Sequence, residues 1–287
     1  MKKSRDMPTA PLPSGVGCPR MHYYNMPPSS RTAHPPTGGQ GGLFFSTMRR
    51  GGASVGEYAS FNINEYCGDS PEAIAANRKG LCDELGITTD RLVMPHQTHG
   101  VEVRQIAKDF VALPEATRKM ILEGVDAVMT NEGGICIGVS TADCIPILIY
   151  DPVHHAVAAV HAGWRGTVAR IVEKTVKAMA VAYRSRPENL ACVIGPGISM
   201  EHFEVGMEVY QQFADAGFDM EPIARWEGKW HIDLKECNRR QLVALGVKPE
   251  AIAVSDICTY ADNADFFSAR RQGIASGRMF TGAMLGM

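Results

Sequence analysis

The sequence carries no surplus of either charge. Its 29 Lys and Arg against 31 Asp and Glu leave a formal net charge of −2, which excludes the broad basic face needed for charge-driven nucleic-acid binding. No apolar run approaches the roughly 18 residues of a membrane span, so no membrane partner is expected. The opening MKKSRDMPTAPLPSG has basic residues but lacks the apolar core of a secretory signal, and a cytoplasmic location is expected. No two cysteines form a CxxC pair. The eight cysteines (Cys18, Cys67, Cys82, Cys136, Cys144, Cys192, Cys237 and Cys258) are dispersed, which argues against a disulfide scaffold and for free thiols in a reducing compartment. The nine histidines include no HxH, and no internal repeat is present.

What is present is an ordinary globular composition, 45% hydrophobic over 287 residues, enough for one large domain or two modest ones. Residues 1–42 are rich in Pro, Gly, Ser and Thr, as in MPPSSRTAHPPTGGQGG. Such a stretch has little apolar surface to offset its ordering entropy, so it is expected to be a flexible arm before one catalytic domain over 43–287. Within that domain SPEAIAANRKGLCDELG (70–86) reads as a helix, with Ser70 or Asp69 as cap, Pro71 in the first turn and Gly86 as its stop. A second, amphipathic helix is expected over 167–183, and others near 206–216 and 235–245. LFFSTMR, VEVRQI, DAVMT, ICIGVS (135–140), IPILIYD (145–151), HAVAAVHAG (155–163) and LACVIG read as strands, with more near 252–258 and 266–270. Strands and helices are mixed without strict alternation, which predicts an α+β fold.

Three local sequences concentrate chemistry: PHQTHGVEV (95–103), STADCIPILIYDP (140–152) and AVHAGWRGT (159–167). They put His99, Cys144 and His161 at strand ends or tight turns. Two imidazoles and a thiolate suit Zn2+, and three protein ligands leave a fourth position open, as catalytic sites require. On residue types alone other readings stand. Each histidine has a structural role as its alternative, and Cys144 reads equally as a core thiol or a nucleophile paired with a histidine. His96 forms an HxxH with His99, but Pro95 and Gly100 argue against the helix that would give that spacing meaning. His154 and His155 fit an exposed turn. Asp143 is a candidate to orient a ligand or to cap the turn. Trp164, Arg165, Arg270 and Arg271 divide between lining a pocket and packing.

The segments STMRRGGASVGEYASFNI, CGDSPEAIAANRKGL, HQTHGVEV, TADCIPILIYDP, VHAGWRGT, IGPGIS, FEVG, ICTY and FFSARRQG resemble, in order, the blocks of the YfiH-like family, also called the laccase-domain or purine nucleoside phosphorylase family. The resemblance runs from about residue 43 to the C-terminus, with Phe61-Asn62-Ile63-Asn64 as a minor departure. It implies a single-domain mixed α/β/β/α sandwich and zinc held by His99, Cys144 and His161. It implies phosphorolysis of adenosine, inosine and methylthioadenosine, and deamination of adenosine. Phosphorolysis needs an anion site. Arg49, in the block matching TTRxGG, is the candidate to hold phosphate or ribose, with a surface salt bridge as the alternative, and Gly51 and Gly52 would admit a close backbone approach. The resemblance carries two other activities: hydrolysis of misincorporated amino acids from peptidoglycan precursors with Cys144 as nucleophile, and copper-dependent polyphenol oxidation. The last is disfavoured by the missing HxH pairs.

Overall fold

The computed structural model describes residues 19–27 and 41–286. In chain order its strands are β1 (Met21–Tyr23), β2 (Gly42–Thr47), β3 (Leu92–Val93), β4 (Glu102–Gln105), β5 (Val125–Thr130), β6 (Cys136–Thr141), β7 (Ile145–Asp151), β8 (Ala156–Ala162), β9 (Ala191–Ile194), β10 (Glu204–Val205), β11 (Ala224–Trp226), β12 (Trp230–Ile232), β13 (Ile252–Val254) and β14 (Met279–Leu285). The helices are α1 (Pro71–Leu85), α2 (Glu115–Ile121), α3 (Trp164–Val168), α4 (Ile171–Tyr183), α5 (Met207–Asp215), α6 (Leu234–Ala244) and α7 (Ala269–Gln272).

Two mixed sheets make the body, a five-stranded one ordered β1-β2-β14-β6-β3 and a six-stranded one ordered β13-β9-β7-β8-β5-β4. The period of two along each strand decides which layer each residue joins. Ile137 and Val139 of β6 meet Val157 and Ala159 of β8 and Leu148 of β7 between the sheets. The alternate residues of the six-stranded sheet, Ile145, Ile147, Ile149, Ala158 and Val160, face away and pack on Ile171, Val172, Val176 and Met179 of α4 and Cys237 and Leu242 of α6. On the far face of the other sheet, Phe45, Cys136 and Phe280 pack on Leu81 and Leu85 of α1. The result is an α/β/β/α sandwich in one domain. Among the described residues no helix is long and apolar enough to cross a membrane.

Helix α1 follows its sequence signals: the Ser70 side chain accepts a hydrogen bond from the Ala73 N–H, Pro71 opens the helix, and Gly86 closes it at φ 67°. Three expectations are corrected. The helix expected over 167–183 is two, because Arg170 takes the left-handed conformation at φ 64° and its guanidinium lies 3.8 Å over Phe218 while donating to the Ala216 carbonyl. The stretch 266–270 is not a strand. There Ser268 caps α7, accepting from the Arg271 N–H. The strand the sequence pattern concealed is β14, central in its sheet, where a Cβ on Gly138 would stand 2.2 Å from the Phe280 ring. Its glycine and mixed residues mask the alternation that marks a strand.

The expected arm is corrected in one stretch. Met21–Tyr23 pair antiparallel with β2, and Tyr24 packs into the inter-sheet core with its hydroxyl 2.6 Å from Ser46 Oγ. An unpaired β2 edge and two apolar anchors, Tyr24 and Met26, suffice to order this short segment. Gly42, the last residue of the expected arm, opens β2, and residues 1–18 and 28–40 lie outside the described residues.

Candidate metal centre

Three connections converge at one end of the sandwich. His161 is next to last in β8, and the pairing of Pro146 with His161 brings the start of β7 beside it. Cys144 stands just before that start, in a turn where Asp143 adopts φ 83°. His99 comes from the loop before β4 and is itself left-handed, at φ 62°. A ligand atom from each of His99, Cys144 and His161 lies within 4.8 Å of the others, and Cys144 Sγ is 3.9 Å from His99 Nε2. His161 is buried, Cys144 half-buried and His99 exposed, so the cluster opens to solvent on the His99 side.

The backbone leaves room for this gathering at Gly163. A Cβ there would lie 3.0 Å from Cys144 Sγ, 3.1 Å from His99 Cδ2 and 3.8 Å from His161 Nε2. Sequence reasoning used Gly163 only as the end of a strand. Its missing side chain keeps the space between the three ligands clear.

Asp126, on β5, is the second residue that sequence reasoning missed. It is fully buried. Its carboxylate lies 2.7 Å from His161 Nδ1 and accepts the N–H groups of Thr98, His99 and Gly100. The orienting role considered for Asp143 thus belongs to Asp126. Asp143 instead accepts from the Thr259 hydroxyl and the Arg270 N–H, which wraps the 259 and 270 segments around the Cys144 turn. Gln97 completes the frame, exchanging two hydrogen bonds with the main chain of Ser140.

These contacts set the charges. Burial pushes the Cys144 thiol up, but the positive His161 and hydrogen bonds from His161 and His99 outweigh it and bring the thiol down to about 6. Burial pushes His161 down, yet the Cys144 thiolate and the Asp126 hydrogen bond raise it to about 9. Burial raises Asp126, and the bond and charge of His161 together with the loop N–H groups leave it below its ordinary value. Without metal these contacts favour the charged forms, a thiolate on Cys144 and an imidazolium on His161.

The other candidates have partners of their own. Arg49 donates from Nε to the Ala59 carbonyl and from Nη1 to the Asn263 carbonyl, with its guanidinium 5.1 Å from the centre of the Phe267 ring. Phe267 in turn packs on Ala142, two residues before Cys144. His96 turns away to Glu123 and stacks on Tyr66. His154 caps its own turn against Asp151. Arg165 lies over Trp164. A cavity of about 260 Å3 lies away from the cluster, its charged lining being Arg78, Arg118, Lys119, Glu65, Asp90 and Glu115, three of each sign. Arg78 and Lys119 pair with Glu65, and Lys119 also with Glu115, so this cavity holds no surplus charge for an anion.

Residues 43–286 match the family model for multi-copper polyphenol oxidoreductase laccase. The chain belongs to this laccase-domain family, that of YfiH and YlmD. It is 46% identical over 244 residues to a purine nucleoside phosphorylase of Bacteroides thetaiotaomicron, covering 84% of this chain and 90% of that one. It is 42% identical over 241 residues to the adenosine deaminase RL5 of an unknown prokaryotic organism, covering 83% and 92%. Its fold matches that of YlmD from Geobacillus stearothermophilus with a TM-score of 0.80 at 30% identity, over 86% of this chain and 93% of that one.

Proposed function

We propose that this laccase-domain chain is a zinc-dependent purine nucleoside phosphorylase acting on adenosine, inosine and methylthioadenosine, with adenosine deaminase activity. The observation that carries the reading is the gathering of His99, Cys144 and His161 around Gly163, in a chain whose relatives bear the names of both activities. The donor set fits the metal: two imidazoles and one thiolate suit Zn2+, and a fourth position stays open. Bound there, zinc would supply Lewis acidity beside the substrate.

The chain's own residues do the rest. Asp126 engages Nδ1 of His161 and so leaves Nε2 to face the open space. Burial opposes ionisation of Cys144, while the His161 charge and the histidine hydrogen bonds favour its thiolate. In this reading Arg49 attracts phosphate, its guanidinium plane fixed by the Ala59 and Asn263 carbonyls. The partners are small nucleosides and phosphate rather than nucleic acid, and the free cysteines suit a cytoplasmic setting.

The test uses pure, metal-analysed protein and inosine. Deamination cannot act on inosine, so base release reports glycosidic cleavage alone. Hypoxanthine and ribose 1-phosphate should form only when phosphate is present, and adenosine should also yield inosine. Free ribose without phosphate would make the enzyme a hydrolase. Replacing Cys144 with Ala should remove about one zinc per chain, since it deletes one of three ligands. Stoichiometric copper in place of zinc would overturn the metal assignment.

A second reading has its own observation. His161 interacts with Cys144 and, through Nδ1, with Asp126, the connectivity of a cysteine nucleophile, its histidine partner and an orienting acid. That connectivity suits a cysteine hydrolase, and the family resemblance supplies its substrate, a peptidoglycan precursor carrying a misincorporated amino acid. Cleavage of such a muropeptide by metal-free protein, blocked by added zinc, with nucleosides untouched, would select it.

A further inference from the structure

We infer that Asp126 is a positioning residue that sets both histidines of the metal centre from a single carboxylate. The inference rests on the reading that the centre holds a metal, and it concerns how that centre is held open and ready.

The carboxylate is saturated in a divided way. Oδ1 lies 2.7 Å from His161 Nδ1 and accepts from the His99 N–H at 3.0 Å. Oδ2 accepts from the Gly100 N–H at 2.7 Å and the Thr98 N–H at 3.2 Å. No Asp126 surface is exposed, and His161 is its one ion-pair partner among the described residues. Taking a carboxylate out of water costs several kcal/mol, and four converging donors offset that cost.

The carboxylate does two tasks at once, Oδ1 serving both His161 and the His99 N–H. Toward His161 it takes Nδ1, so the imidazole has only Nε2 to give a metal and its ring cannot rotate freely. Toward the loop it holds three successive N–H groups around His99, whose left-handed backbone at φ 62° is unfavourable for a residue with a Cβ. The loop keeps that conformation because the Asp126 oxygens repay it. The two tasks are joined by strand register: Ala127 of β5 faces Val160 of β8, so Asp126 is the cross-strand neighbour of His161. One carboxylate thus bonds both candidate ligand segments, Oδ1 alone reaching His161 Nδ1 and the His99 N–H.

Asp126→Asn separates this from a general packing role. Asparagine has the same size but one acceptor oxygen, so its NH2 must oppose either His161 Nδ1 and the His99 N–H or the Gly100 and Thr98 N–H groups. The probe is Co2+ alone, titrated into metal-free wild type and variant, both checked by circular dichroism. Wild type should take up one equivalent with a thiolate charge-transfer band. The folded variant should bind about 10- to 100-fold more weakly, with altered ligand-field bands. Equal affinity and an identical spectrum would overturn the inference. A second measurement needs no variant: long-range proton–nitrogen correlation spectra of zinc-loaded wild type should show His161 protonated at Nδ1 and metallated at Nε2. The reverse tautomer would overturn it even if Asp126→Asn does not fold. Wild type that binds neither Co2+ nor Zn2+ would overturn the metal reading and this inference with it.

Discussion

Gly163 lies against Cys144 so closely that a β-carbon at residue 163 would stand 3.0 Å from the Cys144 sulfur. The backbone there is at φ −68° and ψ 170°, a conformation open to any residue. The glycine is needed for space and not for backbone freedom. Gly163→Ala should therefore leave the melting temperature within a few degrees of wild type while lowering kcat/KM about 10- to 100-fold, because displaced ligands misplace the reacting groups. Equal turnover in Gly163→Ala would show that the ligand side chains yield without consequence.

His99, Cys144 and His161 could be singled out in the sequence at strand ends and tight turns, residue types alone left structural and nucleophilic roles open, and the structure gathers the three. Cys144 opens IPILIYD and His161 ends HAVAAVHAG. Their support was not legible. Asp126 begins DAVMT like any polar residue entering a strand, and its meaning depends on the β5–β8 pairing, which no local pattern encodes. Asp143, adjacent to Cys144, looked the better orienter from proximity alone, yet its carboxylate points to Thr259 and Arg270. The α+β class followed from strand and helix patterning, and the α/β/β/α layering from the family resemblance. The break at Arg170 did not, because the apolar spacing on α4 continues across it and the cause, Phe218, is distant in sequence.

The N-terminal segment offers a graded test. Removing residues 1–18 should cost less stability than removing 1–27, since the second deletion also strips β1 from β2 and withdraws Tyr24 from Ser46 and the core. Burial of one large side chain is worth about 1.5–3 kcal/mol, enough to show as a fall of several degrees in Tm on thermal unfolding. Identical unfolding curves for the two truncations would mean that β1 contributes no net stability.

Arg49 separates anion binding from loop stapling. Arg49→Ala removes two charge-assisted bonds to the Ala59 and Asn263 carbonyls and should cost about 1–3 kcal/mol in denaturant unfolding. If the guanidinium also attracts phosphate, the variant's phosphate KM should rise well beyond its nucleoside KM, with zinc content unchanged. A stability loss with both KM values unaltered would leave Arg49 as a staple only.

Cys144 should declare its charge state through pH. In metal-free protein the thiol is lowered from 9.0 to about 6, burial opposing the shift while the His161 charge and two histidine hydrogen bonds drive it. A lowered thiol pKa means that the thiolate is present above about pH 6 and is lost as pH falls through that value. Alkylation of Cys144 by iodoacetamide, followed by peptide mass mapping, should therefore rise to half its maximum near pH 6. The buried Cys82, pushed up to about 11, should stay unmodified across the same range. The imidazolium partner sets an upper limit. His161 is raised to about 9, so its positive charge fades as pH climbs through that value, and the pair exists only between the two. One equivalent of Zn2+ should protect Cys144, because a thiolate bound to metal is a poorer nucleophile toward alkylation. A single inflection near 9 in the metal-free protein, with none near 6, would mean that His161 does not charge against Cys144. That result would remove the basis for a Cys144 nucleophile while leaving the zinc reading to its own metal analysis.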